Sequence, residues 1–74
     1  MTANQIRELL HATPFTPFRV HVAEQKDFDI PHPDFALLTQ NGDTLVVNAK
    51  TGDFVHIISV PLITRIEMKQ AQSA

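Results

Sequence analysis

The spacing of chain breakers after Thr13 constrains this sequence more than any other feature. Pro14, Pro17, Pro31, Pro33 and Pro61, with Gly42 and Gly52, punctuate the remainder and leave no stretch that reads as a crossover helix. Parallel strands need a connection of a dozen or more residues between them, usually helical. Any sheet in this chain is therefore antiparallel, built from short strands at hairpin spacing. The fold class that follows is mainly β.

The first dozen residues read differently. Thr2 and Gln5 form a capping-box pair, in which each side chain serves the other residue's backbone N–H. Ile6, Leu9 and Leu10 follow at helical spacing, with Arg7, Glu8 and His11 off that stripe. This predicts an N-terminal helix over residues 3–12, stopped by Pro14, which disfavours a helical Thr13. Three turns are too few to persist alone in water, so the apolar stripe must dock on the rest of the chain. In Pro14-Phe15-Thr16-Pro17-Phe18, two prolines fix φ. The segment reads as an elbow whose two rings plug the gap between helix and sheet; an exposed proline-rich ligand is the alternative.

About five strands follow. Residues 18–23 alternate Phe18, Val20 and Val22 with Arg19, His21 and Ala23, a half-buried strand. A polar turn leads to residues 28–30, which Pro31 and Pro33 interrupt. Pro33-Asp34-Phe35 begins one helical turn or leads into a strand over 35–39. Asn41-Gly42 predicts a type I′ hairpin, with φ > 0 at both central positions. Residues 44–49 form the next strand, Lys50-Thr51-Gly52-Asp53 a second hairpin turn, 54–60 a strand, and 62–68 the last. The whole is one small domain over 1–74: helix 3–12, β region 18–68, and a polar tail, 70–74, that frays.

Two strands are apolar on both faces. In residues 44–49, Leu45, Val47 and Ala49 share one face and Val46 takes the other. In residues 54–60, Phe54, His56, Ile58 and Val60 oppose Val55, Ile57 and Ser59. A strand apolar on both faces is covered on both, and one short helix covers only part of one side. The sheet must curl into a small barrel, meet another subunit, or both. With no cysteine, neither a disulfide nor a thiolate metal site can staple the domain. A second copy of the chain is the remaining staple, and Val46, Phe54, His56, Ile58 and Val60 are the candidate self-association residues.

A helix over residues 3–12 leading into a strand at 18–23, with a closing segment His56-Ile57-Ile58-Ser59-Val60-Pro61-Leu62-Ile63-Thr64-Arg65-Ile66, resembles the layout of Sm and Sm-like proteins. The resemblance spans roughly residues 3–68 and is one of layout. It implies a small Sm-like barrel and assembly into rings or pairs. Pro31 and Pro33 cut what is a long bent strand in that family. Ser59-Val60-Pro61-Leu62 stands where the family offers a basic pair to RNA, so no RNA-binding residue is carried over. Phe15, Phe18 and Pro31-His32-Pro33-Asp34-Phe35 also resemble a group of short bacterial proteins to which no function is attached.

Six basic and eight acidic residues give a net charge of −2, which excludes a strongly cationic nucleic-acid footprint but not a local one. Four histidines invite a metal reading. None is paired at helical ligand spacing, and no carboxylate cluster joins them. No base stands at a recognisable spacing from Thr39, Thr44, Thr51 or Ser59, so no nucleophile is activated. His56, among apolar neighbours, reads as a satisfied core histidine or as an interface histidine. Arg19, His21, His32, Asp34 and Arg65 make the candidate partner surface, drawn from the outer face of the first strand, the proline-stiffened loop and the closing strand. The functional expectation is a homo-oligomeric Sm-like binding module without catalytic activity or cofactor, which displays repeated copies of that surface to a protein partner. A minimal Sm-like RNA-binding protein is the alternative. No apolar run reaches the ~18 residues of a membrane span, and the cytoplasm is the expected compartment.

Overall fold

The computed structural model describes residues 2–24, 26–49 and 53–68. The chain begins with α1 (Ala3–His11), followed by β1 (Phe18–Val22), β2 (Asp27–Ile30), β3 (Ala36–Leu38), β4 (Thr44–Asn48), β5 (Val55–Ser59) and β6 (Ile63–Met68). Short 3₁₀ turns, Pro33–Phe35 and Val60–Leu62, precede β3 and β6. All strand pairing is antiparallel, in two three-stranded sheets ordered β2-β1-β6 and β3-β4-β5.

The helix forms as its sequence dictates. Thr2 Oγ1 accepts from the Gln5 N–H at 3.3 Å, and Gln5 Oε1 accepts from the Thr2 N–H at 3.1 Å, completing the capping box. Ile6 and Leu10 are buried and Leu9 packs at the core margin. Ala12 is extended, so the helix closes one residue earlier than its periodicity predicts. The elbow holds Phe15 against Phe18, with ring centroids 5.9 Å apart, and both rings join the core. That is the plug reading of the proline segment.

Two changes separate the strands from the sequence expectation. Residues 33–39 do both things considered for them: Pro33–Phe35 makes the 3₁₀ turn and Ala36–Leu38 the strand. The described residues consequently hold six strands, where about five were expected. The β3–β4 connection is not a type I′ turn. Only Gly42 has positive φ (80°), and Asn41 does not. The Gly42 N–H instead donates to the Thr39 carbonyl at 2.9 Å, and Asn41 Oδ1 accepts from the Asp43 N–H. The connection is the five residues 39–43, built around this turn from Thr39 to Gly42. The expected turn at Lys50-Thr51-Gly52 and the expected fraying of 70–74 lie outside the described residues.

The core fills the space between the helix and the inner faces of both sheets. Ile6, Val20, Ile30, Leu45, Val47 and Ile63 are its fully buried side chains. The two sheets are continuous along the chain at Pro31–Phe35 and at Val60–Leu62. They are not joined into one closed ladder among the described residues, so no closed barrel forms. Phe28 of β2 and His56 of β5 face each other across the seam, ring centroids 4.7 Å apart. No described helix is long and apolar enough to cross a membrane.

Candidate functional site

Two surfaces are set apart by their chemistry, one on each sheet. The first is the outer face of β2-β1-β6. Register places Arg19 between Asp29 and Glu67, and His21 between Asp27 and Arg65. Cross-strand neighbours lie within reach of one another, so opposite charges pair along the row. Arg19 Nε donates to Asp29 Oδ1 at 2.7 Å. That hydrogen bond, with the Asp29 charge behind it, raises the Arg19 pKa above its already high ordinary value. His21 is held on both sides: Nδ1 lies 2.6 Å from Asp27 Oδ1, and Nε2 meets Glu67 Oε1. Arg65 Nη2 reaches the same Glu67 oxygen at 3.6 Å.

Of the expected partner surface, then, Arg19, His21 and Arg65 come together on one face. His32 and Asp34 do not join that row. They are exposed on the 3₁₀ turn that leads out of β2, where the His32 ring packs against Phe35 at 5.8 Å. A shallow cleft of about 380 Å³ opens at the Arg19 end of the row, with Pro17, Asp29, Pro31 and Glu67 in its lining. Asp27 and Asp29 are among the acids, with Glu24 and Asp53, that the sequence sets around these bases and that would repel phosphate; Glu67 is the one it does not single out. The cross-strand register adds Glu67 and sets which acid faces which base. The basic side chains are engaged by carboxylates, which lowers their value as a phosphate-binding patch. Asp27 and Glu67 also address opposite nitrogens of the His21 ring and do not converge on one point. No group of three potential ligands able to hold a metal ion occurs among the described residues.

The second surface is the outer face of β3-β4-β5. Register lines up Leu37, Val46 and Ile57 across the three strands, with Val55 beside Ile57 on the same face. Leu37 is 65% exposed, Val55 56% and Ile57 76%, while Val46 is half-buried between its neighbours. The inward residues are the other parity: Ile58 is 4% exposed and pairs with Leu45 in the core.

This corrects the self-association set. Ile58 and Val60 belong to the protomer's own core and offer nothing to a partner. His56 points the same way, half-buried against Phe28. Val46 lies on the outer face, and Phe54 is exposed just before β5. The surface apolar residues of β5 are Val55 and Ile57, the face that the sequence reading had set opposite the candidate one. The β5 edge away from β4 is also unpaired in its sheet.

Compared with known proteins, the chain matches no family model, no curated protein and no solved structure.

Proposed function

We propose that this chain is a self-associating, non-catalytic binding module of Sm-like layout. The observation that carries the reading is the outer face of β3-β4-β5, where Leu37, Val55 and Ile57 stand exposed in a domain of only 8.3 kDa. Contiguous exposed apolar surface of this kind marks an interaction site more often than an idle one. The layout supports it: a helix, a hairpin of β1 and β2, a kink at Pro31–Phe35, and a 3₁₀ turn between β5 and β6 follow the chain order that the Sm-like resemblance implies. In an assembly, the face of Arg19, His21 and Arg65 is repeated once per subunit. Paired, alternating charges on a rigid sheet suit a protein surface of matching pattern better than a phosphate backbone.

Sedimentation equilibrium across a wide concentration range tests the reading. The expected result is a mass above that of one chain, with a melting temperature that rises with protein concentration because association stabilises the folded form. A single 8.3 kDa species at every concentration overturns it.

A further inference from the structure

We infer that a second copy of this chain pairs with the free edge of β5, antiparallel and about a twofold axis at Ile57, so that β3-β4-β5 continues into the other subunit. The inference rests on the self-association reading and says which edge carries it.

The four sheet edges differ in how they are guarded. Sheet edges resist pairing through shortness, charge, proline, bulges or cover. β2 is four residues long, carries Asp27 and Asp29, and ends at Pro31. β3 has three residues and lies against α1. β6 carries Arg65 and Glu67, and its pairing with β1 slips register at His21/Val22. β5 has none of these devices. Val55-His56-Ile57-Ile58-Ser59 holds no proline and no acidic, lysine or arginine residue, and it pairs with β4 without a break over its whole length.

The direction of its free backbone groups follows from two hydrogen bonds at the ends of the ladder. The Ala49 N–H donates to the Phe54 carbonyl at 2.9 Å, and the Val60 N–H to the Asp43 carbonyl at 2.9 Å. Residues of an antiparallel strand alternate between bonding their neighbour and pointing away. Phe54, His56, Ile58 and Val60 therefore turn their backbone groups toward β4. Val55, Ile57 and Ser59 turn theirs outward. Across a twofold at Ile57, that residue faces its own copy and Val55 faces Ser59 of the second copy. Each outward N–H then meets an outward carbonyl.

Charge selects the same contact. At net charge −2, two copies repel unless the interface excludes their acids. Asp27, Asp29 and Glu67 all lie on the other sheet. Asp53, just before β5, falls opposite Pro61 of the second copy in this register. A parallel in-register pairing would set it against its own counterpart. An isologous contact also closes on itself: it uses both β5 edges and leaves that sheet ending in the short β3 strands, each against α1.

The mass of the wild-type protein, of Ile57→Lys and of Thr64→Lys (on β6) is measured by sedimentation, with far-ultraviolet circular dichroism to check folding. Amide hydrogen exchange is followed in the wild type over a range of concentrations. The expected wild-type mass is twice 8.3 kDa. Ile57→Lys halves it and keeps the β spectrum, while Thr64→Lys leaves it doubled. The Val55, Ile57 and Ser59 amides slow as concentration rises, whereas those of His56 and Ile58 are protected throughout. A monomeric wild type overturns both the assembly reading and this one. An assembly larger than a dimer, one that survives Ile57→Lys, or one that Thr64→Lys dissociates overturns this inference and leaves the assembly reading standing. Should Ile57→Lys fail to fold, exchange decides alone: free exchange of the three outward amides at concentrations where the mass is doubled overturns the inference.

Discussion

At the scale of single residues, Gly42 carries the tightest constraint in the fold. Its φ of 80° lies in the left-handed region, where side chains with a Cβ are strained. A Cβ placed there would also stand 2.5 Å from the Cβ of Ala3, at the start of α1. One residue thus sets both the turn and the distance between the β3–β4 loop and the helix. Gly42→Ala meets both penalties. We expect it to lower stability by about 1–3 kcal/mol, the usual cost of such a backbone conformation, read as a fall in the urea midpoint at unchanged slope. An unaltered midpoint would mean that loop and helix part at no cost. Asn41-Gly42 announced a turn in the sequence, and a turn is there. Its type was not legible, because Asn41 is held by its own side chain on the Asp43 N–H, a choice that depends on Thr39 and Thr44 closing the loop around it. At Arg19 the sign of the pKa shift matters. A raised arginine pKa adds stability that is complete throughout the ordinary pH range and is lost only in strong alkali.

At the scale of elements, α1 shows which stabilising effects are local and which are not. The capping box at Thr2 and Gln5 was legible from four letters of sequence because both partners lie within one turn. Thr2→Ala removes it and should cost about 1 kcal/mol. Ile6 is fully buried and holds the helix to the sheets. Ile6→Ala should cost about 2–5 kcal/mol, since a core truncation loses both transfer energy and packing. Urea titration of both variants checks the order. If Thr2→Ala proves the more damaging, the helix is held by its cap and not by docking. β5 shows the opposite limit of legibility. Period two gives the sidedness of β1, where Arg19 breaks the apolar run and Phe18, Val20 and Val22 are all buried. Residues 54–60 are apolar on both faces, so alternation says that two faces exist but not which one is inside. The pairing of Ile58 with Leu45 decides it, and a partner 13 positions away in the chain leaves no mark on the local pattern. The same blindness hid Glu67, which lies 48 positions beyond its cross-strand neighbour Arg19.

At the scale of the whole molecule, the two sheets divide the surface by chemistry. Charge is concentrated on β2-β1-β6, and the outer residues of β3-β4-β5 named above carry none. That division sets how self-association should respond to salt. Contacts built on ion pairs weaken as salt screens them, with a Debye length of about 8 Å at physiological ionic strength. A contact through β5 buries apolar side chains and backbone groups, and the only long-range electrostatic force between the copies is repulsion from the −2 charge on each. Added sodium chloride screens that repulsion, and sulfate further favours apolar burial. The dimer dissociation constant should therefore stay level or fall as either salt is raised, with sulfate the more effective at equal ionic strength. Sedimentation at low and high concentrations of both salts measures it. Dissociation by sodium chloride would place the contact on the Arg19, His21 and Arg65 face instead, where each of the three meets a carboxylate. In that case the charged row would hold the copies together, and the apolar face would be left free to receive another partner.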